Sequence, residues 1–199
     1  MKELQLYSIR DMAIASGRAV FSVQQLSNLI GKRRAIATVY MSRLVRKGMA
    51  SRLLRGRIAF GGDDFVIATQ LVEPSYVSLD SALMLHGITK QVTRAVECVT
   101  TTNSVRYKRL GIAYHKIPGG LFFGYARQSR GNSYVFVAEP QKALVDGLYL
   151  NRYSEGRFAE LAEGLDFGGI AGMLKRFNGR GGIRLRRVIG SLEGRNWNI

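Results

Sequence analysis

Between Lys32 and Arg57 the chain carries nine lysines and arginines (32, 33, 34, 43, 46, 47, 52, 55 and 57) and no acid. Side chains of this kind are hydrogen-bond donors only and stay charged at neutral pH, so a dense run of them suits a polyanion. Arginine forks bidentately to guanine or phosphate, and interleaved hydroxyl and small apolar groups can meet base edges and thymine methyls. The rest of the chain does not share this bias. Glu139 to Asp166 is acid-rich, and the tail turns basic again at Lys175, Arg176, Arg180, Arg184, Arg186, Arg187 and Arg195. The overall formal charge of +16 is therefore distributed in blocks. Such a distribution predicts a local electrostatic footprint for nucleic acid.

Catalytic chemistry finds less support. The two histidines, His86 and His115, fit a helix end and a strand better than a catalytic pair. With the single Cys98 they make too few ligands for a His/Cys metal site. No GxxxxGK[ST] loop occurs, and the cluster Gly179, Gly181, Gly182 misses GxGxxG spacing because residue 184 is arginine. The one enzyme reading is a nuclease-like site using Glu97, Glu139, Lys142 and Asp146, since paired carboxylates with a nearby lysine can hold Mg²⁺. The simpler reading starts a helix at Glu139-Pro140 and makes Lys142–Asp146 a surface ion pair one turn apart. The expectation is no enzyme, no cofactor and no metal.

The elements that would position the basic run follow from periodicity. A first helix is expected from about Leu4 to Ser16, with Leu6, Ile9, Met12 and Ala13 on one side. Val20 and Phe21 form a short extended pair. Ser22-Val23-Gln24-Gln25 then reads as a capping box, opening a helix with Val23, Leu26, Leu29 and Ile30 inward. Gly31 ends it with a left-handed turn. A second helix spans about 32–47 and stops at Gly48. Ala37, Tyr40, Met41 and Leu44 line its core face, while Lys32, Ala35, Ile36, Val39, Ser42, Arg43 and Arg46 line the other. From Met49 the period becomes extended, with strands at 49–54 and 57–60 around the turn Arg55-Gly56. Helix, turn, helix and hairpin in this order predict a winged helix-turn-helix over residues 1–72. Lys32, Val39, Ser42, Arg43 and Arg46 would meet bases. Arg33, Arg34, Arg52, Arg55 and Arg57 would grip the backbone. A winged helix that contacts protein instead is the alternative on the same residues.

Residues 73–199 mix both element types, so the fold class is α+β: the winged module followed by a mixed α/β domain with a small sheet. A linking helix is expected at 63–72, capped by Asp63 or Asp64, and a helix from Ser78 to Leu85. Strands are expected at 95–101, 112–117, 121–126 and 134–138, and helices at about 140–151, 154–164, 168–177 and 183–193. No apolar run reaches the ~18 residues of a membrane span. MKELQLYSIRDM lacks the basic start and apolar stretch of a signal peptide. A cytoplasmic protein without membrane attachment is the expectation.

The runs VFSVQQLSNLIG, YMSRLVRKGMASRLLRGRIAF and PSYVSLDSALMLHGI resemble the AbiEi family, the antitoxins of type IV toxin–antitoxin systems. VTTTN, YHKIPGGLFFGY and AEPQKALVDGLYL look like that family's C-terminal domain, so the resemblance covers about residues 8–152. It implies a repressor that binds inverted repeats in the promoter of its own operon. It also implies a partner toxin of nucleotidyltransferase-like fold. On that resemblance residues 32–47 are the DNA-reading helix and 49–60 the wing. The basic tail matches no family motif. Direct contact with a toxin, through residues 155–166 or the run Leu121 to Tyr125, is a second reading compatible with the first.

Overall fold

In the computed structural model, which describes residues 2–91, 93–165 and 167–193, the chain divides into two units. One comprises Met1–Pro74 with Arg127–Phe136, the other Ser75–Ala126 with Val137–Ile199. The α+β class expected from the sequence is the class observed, with a three-stranded sheet and a six-stranded mixed sheet among the described residues.

The first unit begins with α1 (Lys2–Ala15), β1 (Val20–Ser22), α2 (Val23–Ile30) and α3 (Arg34–Arg46). Strands β2 (Ser51–Leu54) and β3 (Arg57–Ala59) follow, then α4 (Asp64–Leu71). Helix α2 starts where the sequence places it. Ser22 Oγ accepts from the Gln25 amide at 3.1 Å and Gln25 Oε1 accepts from the Ser22 amide at 2.8 Å, closing the capping box. Gly31 ends α2 at φ +61°, and Lys32 N donates back to Ser27 O at 3.1 Å. The sheet order is β1-β3-β2, antiparallel throughout, with Phe21 opposite Ile58. Leu6, Ile9, Ala13, Phe21, Leu26, Ala37, Met41, Leu44 and Ile58 form one core from α1, β1, α2, α3 and β3. Asp63 caps α4 by accepting from the amides of Phe65 and Val66, both at 3.0 Å. Gln70 on α4 is buried, and its Oε1 accepts from the amides of Ala19 and Val20 while its Nε2 donates to Ser133 Oγ and Tyr134 O. One glutamine thus satisfies four polar groups, which is how the 127–136 segment is tied to this unit.

The second unit contains β4 (Ser75–Val77), α5 (Leu79–Leu85), β5 (Val96–Thr100), β6 (Val105–Tyr107) and β7 (Ile112–Lys116). Strands β8 (Tyr125–Arg130) and β9 (Ser133–Ala138) follow in the chain, their residues 127–136 belonging to the first unit. Then come α6 (Pro140–Tyr149), α7 (Glu155–Ala162), α8 (Phe167–Leu174) and α9 (Gly179–Glu193). The sheet runs β6-β7-β5-β4-β9-β8, with β5–β7 and β4–β9 parallel. It is larger than the small sheet the sequence suggests. Two of its strands, β4 and β6, have three residues each, too short to display an alternation. Of the strand expected at 121–126, residues 121–124 are not strand. Gly119–Leu121 form a 3₁₀ turn, and β8 begins only at Tyr125.

Helix α6 packs against α5, α7, α8 and α9, and every residue from Lys142 to Leu148 is buried. Gly147 is required there, because a Cβ would lie 2.0 Å from the Tyr153 ring. The expected surface pair Lys142–Asp146 is therefore wrong in its environment. Both side chains are fully buried. Lys142 Nζ donates to Asp146 Oδ1 and, at 2.8 Å, to Tyr76 Oη. The hydroxyls of Tyr76 and Ser78 each donate to Asp146 Oδ2 at 2.9 Å. Ser78 thus stands at the N-cap of α5 but spends its hydroxyl on Asp146 and not on the helix amides. The rings of Tyr76, Phe123 and Phe177 lie 5.3, 5.2 and 5.9 Å from Nζ. Burial pulls the Lys142 pKa down and pushes that of Asp146 up, each opposed by the partner's charge.

Two stability outcomes follow from these contacts. Lys142→Ala leaves a buried carboxylate without its cation and should cost about 3–5 kcal/mol in urea unfolding, whereas Lys142→Met combined with Asp146→Leu should recover most of it. A loss below about 1 kcal/mol for the single variant would mean the pair behaves as a solvated one. Gly31→Ala meets no atom within 4 Å, so its cost is conformational: about 1–2 kcal/mol for a left-handed alanine, read in the same experiment.

Candidate nucleic-acid interface

Rotation of α3 is set by what it buries. Ala37, Met41 and Leu44 sit in the first unit's core, spaced four and three apart, and Tyr40 is half-buried beside them. The opposite side faces solvent: Arg34, Ala35, Thr38, Val39, Ser42 and Arg46 are exposed, with Lys32 and Arg33 exposed at its start. Ile36 is 43% and Val39 48% exposed, so this face sets two branched apolar side chains among its cations. Arg43 is half-buried at the edge of this face, its guanidinium 6.0 Å from the Tyr40 ring centroid. Tyr40 is itself held by donating to Gln5 Oε1 at 2.8 Å.

Arg33 occupies the N-cap of α3 and makes no side-chain cap bond, and the first turn holds no acid. Cations at the positive end of a helix dipole are mutually unfavourable, and an anion placed there would relieve both the dipole and the arginines. The turn leading into it is anchored: Ser27 Oγ donates to Lys32 O at 2.5 Å, and Thr38 Oγ1 donates to Arg34 O at 2.9 Å.

The β2–β3 hairpin carries the remaining cations. Arg52 and Arg55 are exposed and Arg57 is half-buried, opposite Ser22 on β1. Gly56 has φ +71° and its carbonyl accepts from Val23 N at 3.2 Å, which ties the hairpin tip to the first residue of α2. Register slips between Arg52 and Leu54, so the strand bends at the arginine.

Among the described residues, Lys32, Arg33, Arg34, Arg43, Arg46, Arg52, Arg55 and Arg57 make no ion pair. The cations outside the run are used differently. Arg18 pairs with Glu73, and Arg130 with Asp63. In the tail, Arg186 donates to Phe177 O at 2.8 Å, Arg184 to Asn151 and Tyr153 O, and Arg187 pairs with Glu155. Arg176 lies over the Phe123 ring at 4.4 Å. Arg195 and Asp166 lie outside the described residues.

The four residues of the nuclease reading do not form one cluster. Lys142 and Asp146 are sealed in the core, Glu139 is exposed at the start of α6, and Glu97 faces His115 and Arg152, each at 3.4 Å. Among the described residues no group of three or more His, Cys, Asp or Glu is placed to hold a metal ion. His86 is satisfied through Ala138 O, 2.8 Å from Nε2. His115 Nε2 is buried and approaches Glu97 without hydrogen-bond alignment. The run Leu121 to Tyr125 is largely spent internally, with Phe122 and Tyr125 stacked around Tyr76. Thr38 joins the exposed face and was missed from sequence. Its place one turn after Arg34 was the available signal. No helix among the described residues is long and apolar enough to cross a membrane.

No known family's sequence profile matches the chain, and no curated protein matches it. Among solved structures it is similar to the RV2827C protein from Mycobacterium tuberculosis. That likeness has 13% identity and a TM-score of 0.45, and covers 92% of this chain and 79% of the other. A likeness at that level bears on neither the chemistry of the basic face nor its ligand.

Proposed function

We propose that the first unit is a winged helix-turn-helix that binds double-stranded DNA, with α3 in the major groove and the β2–β3 hairpin as the wing. The observation that carries this reading is the solvent face of α3. It sets exposed Ile36 and Val39 among cations that have no acidic partner within the described structure. Like charges three and four apart on a helix face repel one another, so unpaired arginines there favour an anionic partner. A groove of DNA supplies what is missing: phosphates for the cations, and base edges and thymine methyls for Val39, Ser42 and Arg43.

The resemblance to AbiEi antitoxins extends this to a specific role. The chain represses the operon that encodes it by binding inverted repeats in the promoter, and acts as the antitoxin of a nucleotidyltransferase-like toxin. Direct contact with that toxin is the second reading. The internal packing of Phe122 and Tyr125 weakens its apolar candidate surface and leaves residues 155–165 as its remaining support.

Fluorescence anisotropy with the operon's own promoter duplex, a scrambled duplex and a salt series tests the proposal. The promoter should bind selectively, with affinity falling about 10³-fold or more between 50 and 200 mM salt. Arg43→Ala should cost roughly 1–3 kcal/mol and relax sequence preference, whereas Arg55→Ala should weaken both duplexes alike. Equal weak binding to both duplexes by the unaltered protein would contradict the repressor role.

A further inference from the structure

The second unit contains a polar hollow of about 300 Å³ whose lining includes Asp80, Arg94, Glu97 and Arg106. Sheet register explains why these groups meet. Glu97 on β5 lies opposite Ala113 on β7, and Ala113 lies opposite Arg106 on β6. The three side chains therefore share one face of the sheet, and the small middle residue leaves space between the two charged ones. Asp80 enters from the first turn of α5, and Arg94 from the segment before β5.

Each carboxylate has one oxygen engaged and one free. Glu97 Oε1 meets both Arg152 and His115 at 3.4 Å. Asp80 Oδ1 accepts from Tyr153 Oη at 3.1 Å and lies 3.6 Å from Arg157 Nη2. Among the described residues, Glu97 Oε2 and Asp80 Oδ2 have no partner, and neither do the guanidinium groups of Arg94 and Arg106. Burial alone would push the Glu97 carboxyl up, but His115 and then Arg152 bring it below the usual carboxylate value. It is thus an acceptor at neutral pH.

Charge selects the class of ligand. Four guanidinium groups (94, 106, 152 and 157) meet three carboxylates, those of Asp80 and Glu97 and that of Glu160, which pairs with Arg157 at 3.1 Å, so the cluster keeps a positive excess. A metal ion or an amine alone would add to that excess. A zwitterion would leave it unchanged. A phosphate monoester offsets it, and hydroxyls on the same molecule can donate to acceptor-only carboxylate oxygens. The size lies at the lower end of small-molecule pockets. We propose that this hollow binds a small phosphorylated polyol of the sugar-phosphate class. Its phosphate rests on Arg94 and Arg106, and its hydroxyls on Asp80 Oδ2 and Glu97 Oε2. This site is independent of the DNA reading, which uses other residues in the other unit.

Isothermal titration calorimetry of the full chain tests it with three probes: ribose 5-phosphate, inorganic phosphate and ribose. Ribose 5-phosphate should bind with a Kd of about 1 mM or tighter. Phosphate should bind about tenfold more weakly, and ribose should give no signal. Arg94→Ala with Arg106→Ala, both on exposed side chains, should weaken ribose 5-phosphate at least about tenfold. Arg52→Ala with Arg55→Ala should leave it unchanged. Glu97→Gln should abolish the preference over phosphate. If that variant does not fold, the ribose and phosphate arms still decide the polyol claim. Failure of ribose 5-phosphate to bind, or binding insensitive to Arg94 and Arg106, would overturn the site. Equal affinity for phosphate and ribose 5-phosphate would overturn the polyol assignment.

Discussion

Helix α3 cannot satisfy both of its faces. Burying Ala37, Met41 and Leu44 against α1 and α2 fixes its rotation, and that rotation turns Ile36, Val39, Ser42 and the flanking cations outward. Burial of the three core side chains is the favourable term. Exposure of the branched pair, and the crowding of Arg33 and Arg34 at the helix's positive end, are unfavourable terms accepted alongside it. Local rules broken on one surface while the core behind them is regular are what a binding face looks like in physical terms. The capping box at Ser22, the left-handed Gly31 and the Val23–Gly56 hydrogen bond hold α2 and the hairpin in register with that face.

Net charge by itself would be a weak guide to this conclusion. The chain's positive excess is spread over several segments, yet the segments use their cations differently. The tail arginines donate to backbone carbonyls, to Asn151 or to Glu155, and so contribute to internal order in the second unit. Arg18 and Arg130 likewise pair with Glu73 and Asp63. The exposed cations of α3 and the hairpin differ, because among the described residues Lys32, Arg33, Arg34, Arg43, Arg46, Arg52, Arg55 and Arg57 pair with no acid. Electrostatic affinity for a polyanion depends on cations still available to it, so the distinction matters more than the sum.

What could be read from sequence was local. The capping box, the glycine stops and the three-and-four spacing of α2 and α3 each depend on residues within one or two turns, and the structure places them as expected. The asparagine-free turn Arg55-Gly56 was legible through its glycine. Long-range facts were not. Lys142 and Asp146, four apart, look like any surface pair, and only the packing of four helices around α6 makes them buried. Strands β4 and β6 are too short to carry a pattern. The order β6-β7-β5-β4-β9-β8 arises from pairings between distant segments. The Asp80, Arg94, Glu97, Arg106 hollow is invisible for the same reason, since its members come from three separate stretches of chain.

The direct test of the proposed DNA interface is hydrogen–deuterium exchange of the chain with and without its own promoter duplex. Protection concentrated in residues 32–57, with the second unit unchanged, is the predicted result. Protection centred on the tail arginines, or none within α3 and the hairpin, would contradict it.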